Sequence, residues 1–284
     1  MKIVECPRDA MQGLHDYIPA DVKANYINAL LRVGFDTIDF GSFVSPKAIP
    51  QLRDTAEVLG KLNLDSSDSK LLAIVANERG ANDACNFEEI DYLGFPFSIS
   101  ETFQQRNINS SIAESFKRLA AVREICFKNN KRMVTYFSMA FGNPYGDEWS
   151  PYIVAHWAEK LMNELDIKIL SLSDTIGTSN KENITFLFEK LIPEFPEVEF
   201  GAHLHTTPNA WQEKVSAAYD SGCRRFDSAI KGYGGCPMAA DALTGNMPTE
   251  NLLLYLKDNN IENTIDYAMF DHSMKEASSV FPDK

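Results

Sequence analysis

A chain of 284 residues with 44% apolar composition can bury a sizeable core, and no run of about 18 apolar residues suggests a transmembrane helix. Its 27 basic and 40 acidic residues leave a net charge of −13, which argues against nucleic acid as a partner, because phosphate contacts need clustered Lys and Arg. An anionic substrate would have to be drawn by a local basic site or a bound cation.

In chain order, apolar and β-branched runs predict strands at 2–6, 36–43, 70–77, 89–99, 132–141, 167–174, 199–206 and 224–231. Helix-period segments fall between them at 21–33, 49–62, 110–129, 150–165, 180–192, 209–221 and 249–258. The clearest is 110–129, with Ile112, Phe116, Leu119 and Ile125 on one face and Ser110 or Ser111 as cap. Asp21, Ser150, Asn180 and Thr249 are the expected N-caps of other helices, and Gly34 and Gly222 stand where helices should end. Eight strands alternating with helices, without a linker or low-complexity stretch, predict one α/β domain over 1–284, a (β/α)₈ TIM barrel. An open doubly wound sheet is disfavoured, since no GxGxxG follows the first strand.

The N-terminus, Met-Lys-Ile-Val-Glu-Cys-Pro, runs straight into a strand pattern with no apolar signal core or Arg/Ser-rich lead. The five cysteines (Cys6, Cys85, Cys126, Cys223 and Cys236) are odd in number and form no CxxC pair, which speaks against disulfide frameworks and zinc ribbons. A reducing, cytoplasmic setting is expected, with a removed organellar targeting segment left open.

Barrel catalysts sit at the C-terminal ends of the strands, and the conspicuous polar residues fall there. Arg8 and Asp9 follow strand 1, Asp39 and Ser42 lie on strand 2, Asp174 follows strand 6, and His203 and His205 lie on strand 7. Residues two apart on a strand share a face, so the two imidazoles of His203-Leu204-His205 should converge, and Asp9 would complete a mixed nitrogen/oxygen metal site. An isolated HxH is more often a pair of hydrogen-bonded core or surface histidines; acidic residues across a barrel mouth favour the metal. Arg8 can hold an anion bidentately, and Asp9 can ligate metal or act as base, although the dipeptide alone would read as a local ion pair. Asp39 can orient Arg8 or cap the barrel layer; Asp174 can face substrate, adjoin the metal or cap a loop. The glycine-dense 232–237 loop carries Cys236, placed for proton transfer or for regulation by oxidation, or else merely a small thiol in a tight turn.

Taken together, PRDAMQ (7–12), GSFVSPKAIPQ (41–51), RNINSSIAESF (106–116), GNPYGDEWSP (142–151), SLSDTIGT (171–178), HLH (203–205), GYGGCP (232–237) and TGNMPTE (244–250) resemble the hydroxymethylglutaryl-CoA lyases of the DRE-TIM metallolyase family over nearly the whole chain. The resemblance implies Asp9, His203, His205 and Asn246 as ligands of one divalent cation, Mg²⁺ or Mn²⁺. It implies Arg8, Asp9, His203 and Cys236 as catalytic, with Arg8 stabilising the thioester enolate, and Arg8, Asp39, Ser42 and Asp174 as substrate-binding. The implied reaction cleaves 3-hydroxy-3-methylglutaryl-CoA (HMG-CoA) to acetyl-CoA and acetoacetate, in leucine degradation and ketone-body metabolism. The implied partner is an acyl-CoA, with no nucleic acid or membrane, and a homodimer is compatible with it. The sequence departs from the family pattern at Asp39 (usually Glu), Thr206 (usually Asp), Ala10 (usually Gly) and Met238, and the stretch from Cys236 to Asn246 is one residue longer. A related aldolase or 2-oxoacid/acetyl-CoA condensing enzyme is the first alternative; the condensing enzymes usually carry a further C-terminal region, and this chain ends soon after the eighth helix. A non-catalytic binding barrel is the second alternative, against which the intact ligand set stands.

Overall fold

The computed structural model describes residues 1–65, 67–235 and 244–281. Its eight strands, β1 (Lys2–Glu5), β2 (Thr37–Ser42), β3 (Lys70–Ile74), β4 (Ile90–Ser98), β5 (Arg132–Ser138), β6 (Ile169–Ser173), β7 (Glu199–His203) and β8 (Arg225–Ser228), pair in parallel and in sequence order. β1 pairs with β8, so the sheet closes into the barrel that the sequence predicts.

Alternation along each strand builds two apolar layers. Leu72, Ile74, Tyr92, Val134, Tyr136 and Ile169 form a cluster of their own inside the barrel. Their neighbours Leu71, Ala73, Leu93, Leu170 and Leu172 point outward into the larger core beneath the helices.

The helices are α1 (Pro7–Gln12), α2 (Ala20–Leu30), α3 (Thr55–Leu59), α4 (Glu78–Cys85), α5 (Glu101–Ile108), α6 (Ile112–Lys128), α7 (Pro151–Leu165), α8 (Lys181–Glu194), α9 (Trp211–Asp220), α10 (Thr249–Asp258) and α11 (Tyr267–Val280). Ser111 caps α6 in a full capping box with Glu114, and Ser150 and Asn180 cap α7 and α8 through their side chains, as expected.

Two expected caps are corrected. Pro19, not Asp21, precedes α2, and Pro248, not Thr249, precedes α10. Neither proline makes a side-chain cap bond, and the Thr249 hydroxyl, inside α10, instead donates to Glu5 Oε2 at 2.5 Å. Gly222 directly follows the C-cap of α9 with φ +97°, whereas α2 stops at Leu30 and Gly34, φ +91°, ends the turn beyond it. The predicted helix 49–62 breaks into a 3₁₀ turn, Pro50–Leu52, and the short α3.

Three further departures shape the site. PRDAMQ, for which the sequence predicts no element, forms the helix α1, with Pro7 at its first position, where a missing N–H costs nothing. β7 stops at His203 and β8 at Ser228, each three residues short of expectation. There the chain trades the ladder for isolated bridges, His205 to Asn246 and Ala229 to Pro248. Through these the segment after the last strand is tied across the barrel's end: Met247 N–H donates to Leu204 O at 2.9 Å and Thr206 N–H to Gly245 O at 3.0 Å.

Candidate active site

α1 begins immediately after β1, so Arg8 and Asp9 sit in its first turn over the C-terminal end of the barrel. Arg8 is nearly buried and its guanidinium is divided among three partners. Nε donates to Asp39 Oδ1 and Oδ2 at 3.2 and 3.0 Å, and Nη2 to Oδ2 at 2.5 Å. Nη1 donates to Asp9 Oδ1 at 2.9 Å and to Gln12 Oε1 at 3.0 Å. A guanidinium has five N–H bonds, so among the described residues one on Nη2 has no partner. Burial disfavours the charged form, but Asp39 and Asp9 outweigh it and raise the Arg8 pKa. Burial pushes the Asp39 carboxyl up to about 6 against the pull of Arg8.

Asp9 is the acidic partner of the two histidines. Its Oδ1 accepts from Gln12 Nε2 at 2.7 Å as well as from Arg8, and its Oδ2 accepts from Asn246 Nδ2 at 2.6 Å. Burial acts to raise its pKa, yet Arg8, His203 and His205 together hold it down at about 2, so the carboxylate is ionised. His203 and His205 converge with ring centroids 5.4 Å apart. One donor atom each from Asp9, His203 and His205 lies within 4.8 Å of the others, and all three residues are buried.

The imidazoles differ in electrostatics. Burial would lower the His203 pKa, but the Asp227 carboxylate, 3.1 Å from Nδ1, and Asp9 raise it. Burial and the neighbouring His203 depress His205 to about 4, so it is neutral at ordinary pH. Its Nδ1 is buried with no hydrogen-bond partner among the described residues, as befits a donor atom kept for a cation. Two imidazoles, a held carboxylate and an adjacent amide make a set suited to one divalent ion. Asn246 is brought to this group by the His205 bridge, and its amide also donates to Tyr233 O at 2.8 Å.

Arg8, Asp9, His203 and His205 line a mouth cavity of about 460 Å³ together with Arg106, Asn107 and Arg118. The other expected substrate residues are placed differently. Asp39 and Ser42 lie on β2; Asp39 is taken up by Arg8, and Ser42 Oγ donates to Ile74 O at 3.3 Å. Asp174 is buried, with Ser179 Oγ at 2.5 Å, Ser179 N–H at 3.1 Å and Lys214 Nζ at 2.8 Å filling its oxygens. It is the neighbouring Ser173 and Thr175 that face the cavity. Cys236 lies outside the described residues.

The sequence reading missed Gln12, Tyr136, Arg106, Arg118 and Asp227. An inward-facing tyrosine and aspartate could have been found by alternation along strands 5 and 8, but only with the strand register in hand. Gln12 needed the helical reading of PRDAMQ, which puts it one turn after Arg8.

A sequence profile described as HMGL-like matches residues 2–275. A hydroxymethylglutaryl-CoA lyase of Bacillus subtilis is 33% identical over 91% of this chain and 85% of its own length. A 3-hydroxy-3-isohexenylglutaryl-CoA/hydroxymethylglutaryl-CoA lyase of Pseudomonas aeruginosa is 32% identical over 95% and 90%. Among solved structures, an HMG-CoA lyase from Acinetobacter baumannii in complex with coenzyme A and 3-methylmalate superposes with TM-score 0.90 at 31% identity, covering 98% of this chain and 90% of that one.

Proposed function

This chain belongs to the HMGL-like family, and from that premise we propose that it is a divalent-metal-dependent lyase that cleaves HMG-CoA into acetyl-CoA and acetoacetate. The observation that carries the reading is the convergence of Asp9, His203 and His205 within 4.8 Å of one another, lining one cavity together with Arg8. The relatives named as HMG-CoA lyases, and the coenzyme A in one related structure, support the substrate class.

Asp9, His203, His205 and Asn246 would hold the cation, and a donor set with two oxygens suits Mg²⁺ or Mn²⁺. Such an ion supplies Lewis-acid polarisation of the substrate's tertiary hydroxyl. The chain's own residues do the rest. Asp9 is the base for the hydroxyl proton, since a His203 that keeps its proton on Nδ1 beside Asp227 and gives Nε2 to the cation has no lone pair left to take it. As the C–C bond breaks, negative charge grows on the thioester oxygen, and we assign its stabilisation to Arg8, which lines the cavity with one Nη2 N–H unpartnered among the described residues. Asp39 holds the guanidinium from behind through two of its nitrogens, so the donor is oriented before the reaction begins. We assign Cys236 the return of a proton to the enolate carbon, on the resemblance. Arg106 and Arg118, which line the same cavity, give the −13 chain a local positive patch for the CoA phosphates. Four described cysteines are free thiols, which supports a reducing compartment such as the cytoplasm.

The test sets two reactions side by side with Mg²⁺ present: HMG-CoA alone, and acetyl-CoA with a panel of 2-oxoacids. Release of acetoacetate from HMG-CoA supports the reading. Condensation of acetyl-CoA with a 2-oxoacid and no cleavage of HMG-CoA would replace it.

A further inference from the structure

Asp227 on β8 sits where neither the sequence reading nor the ligand set places a functional residue. It is the register partner of His203 across the β7–β8 pair, and the two side chains face the same interior. Asp227 Oδ2 stands 3.1 Å from His203 Nδ1, the Ser171 hydroxyl donates to that same oxygen at 3.2 Å, and the Asp227 side chain is wholly buried. The Tyr136 ring meets the His203 imidazole edge-on, centroids 5.6 Å apart at 79°, and blocks ring rotation from the β5 side.

We propose that Asp227 is a positioning residue that fixes the tautomer of His203, so that the Nε2 lone pair faces the mouth cavity as cation ligand. The inference rests on the metal reading above. A carboxylate can only accept, so the proton it shares with a neutral imidazole must be on Nδ1, and Nε2 is left unprotonated. A carboxylate behind a ligating histidine also holds the ring in place. Arg225, two residues earlier on β8 and therefore on the same interior face, is buried with Nε and Nη2 unpartnered among the described residues, and its charge acts on Asp227. The order Arg225, Asp227, His203 is a line of interior groups leading up to the ligand set. Replacing the carboxylate by an amide offers Nδ1 a donor and favours the Nε2–H form, the wrong tautomer for a ligand.

The test uses ¹⁵N-histidine-labelled, metal-free whole protein at alkaline pH, together with Mn²⁺ titration followed by electron paramagnetic resonance. In wild type, His203 should carry its proton on Nδ1. Asp227→Asn and Asp227→Ala should each weaken Mn²⁺ binding by about 10- to 100-fold. In a His203→Ala background, Asp227→Asn should cost almost nothing further, a coupling that a merely structural role would not produce. Nε2–H in wild type overturns the Asp227 role, as does unchanged Mn²⁺ affinity in both variants or a full additive loss in the double variant. If wild type itself binds no Mn²⁺, the metal reading falls and this role falls with it; the tautomer result overturns the Asp227 role alone. Should either variant fail to fold, the wild-type tautomer still decides.

Discussion

At Arg8, four of the five N–H bonds are engaged by Asp39, Asp9 and Gln12, and the fifth is the one that can meet new charge on a substrate. A lysine keeps the charge but cannot brace itself on Asp39 through two nitrogens while donating forward. Arg8→Lys should therefore lower kcat by about 10²–10³-fold, roughly 3–4 kcal/mol of transition-state stabilisation, with KM changed little. Steady-state kinetics and a melting curve on the same variant check this; a lost rate fully accounted for by unfolding would leave Arg8 only a brace. Glu5 poses a different residue-scale question. It is buried at the end of β1, where burial pushes its carboxyl up to about 8 although the Thr249 hydroxyl and the Ile230 N–H pull it down. An unfolded glutamate ionises near 4.5, so the folded protein holds this group neutral over a range in which the unfolded chain releases the proton. Stability from Glu5 is full below about 4.5 and is lost as pH rises through about 8. Glu5→Gln, which mimics the neutral acid, should melt close to wild type at pH near 4.5 and several degrees higher at pH near 8. Equal melting shifts at both pH values would show that Glu5 stays ionised in the fold.

Two loop segments, 232–235 and 244–248, meet beside Asp9. Gly234 has φ +105°, and a Cβ there would lie 2.3 Å from Asn246 Nδ2 and 2.9 Å from Asp9 Oδ2. Gly234→Ala should weaken divalent-ion binding at least about 10-fold, whereas Gly13→Ala, with open space around it, should not. Calorimetric titration with Mn²⁺ on both variants checks the difference, and equal affinities would separate Gly234 from the site. At this scale the sequence was partly legible. The eight strands are readable because each carries a run of apolar and β-branched residues with punctuation on either side. α4 escapes because its buried face is only Gly80, Ala81 and Ala84, too thin for a hydrophobic stripe; Gly80 is there because a Cβ would meet Phe43 O at 2.4 Å. α11 escapes in the same way, burying Ser273 and Ala277 between Phe270 and Val280. Asp227 could not be singled out, since its meaning comes from register with His203, a fact of the β7–β8 pair and not of either strand.

For the whole molecule, closure of the sheet does what no local element can. It brings Arg8 and Asp9 from one end of the chain to His203 and His205 some two hundred residues later, and the segment carrying Asn246 ties the arrangement across the barrel's end. The same closure gathers Arg8, Arg106 and Arg118 around one cavity in a chain whose overall charge repels anions. The HxH spacing was legible as a pair, but the strand ends at His203, and it is the bridge from His205 to Asn246 that keeps the second ring in place. The proposed chemistry depends on a cation at Asp9, His203 and His205. The measurement is cleavage of HMG-CoA by protein stripped with chelator, followed by separate assay of acetyl-CoA and acetoacetate before and after Mg²⁺ or Mn²⁺ is returned. Activity should vanish on stripping and return with either ion in wild type, and should not return in His205→Ala; undiminished turnover by rigorously metal-free protein would contradict the account.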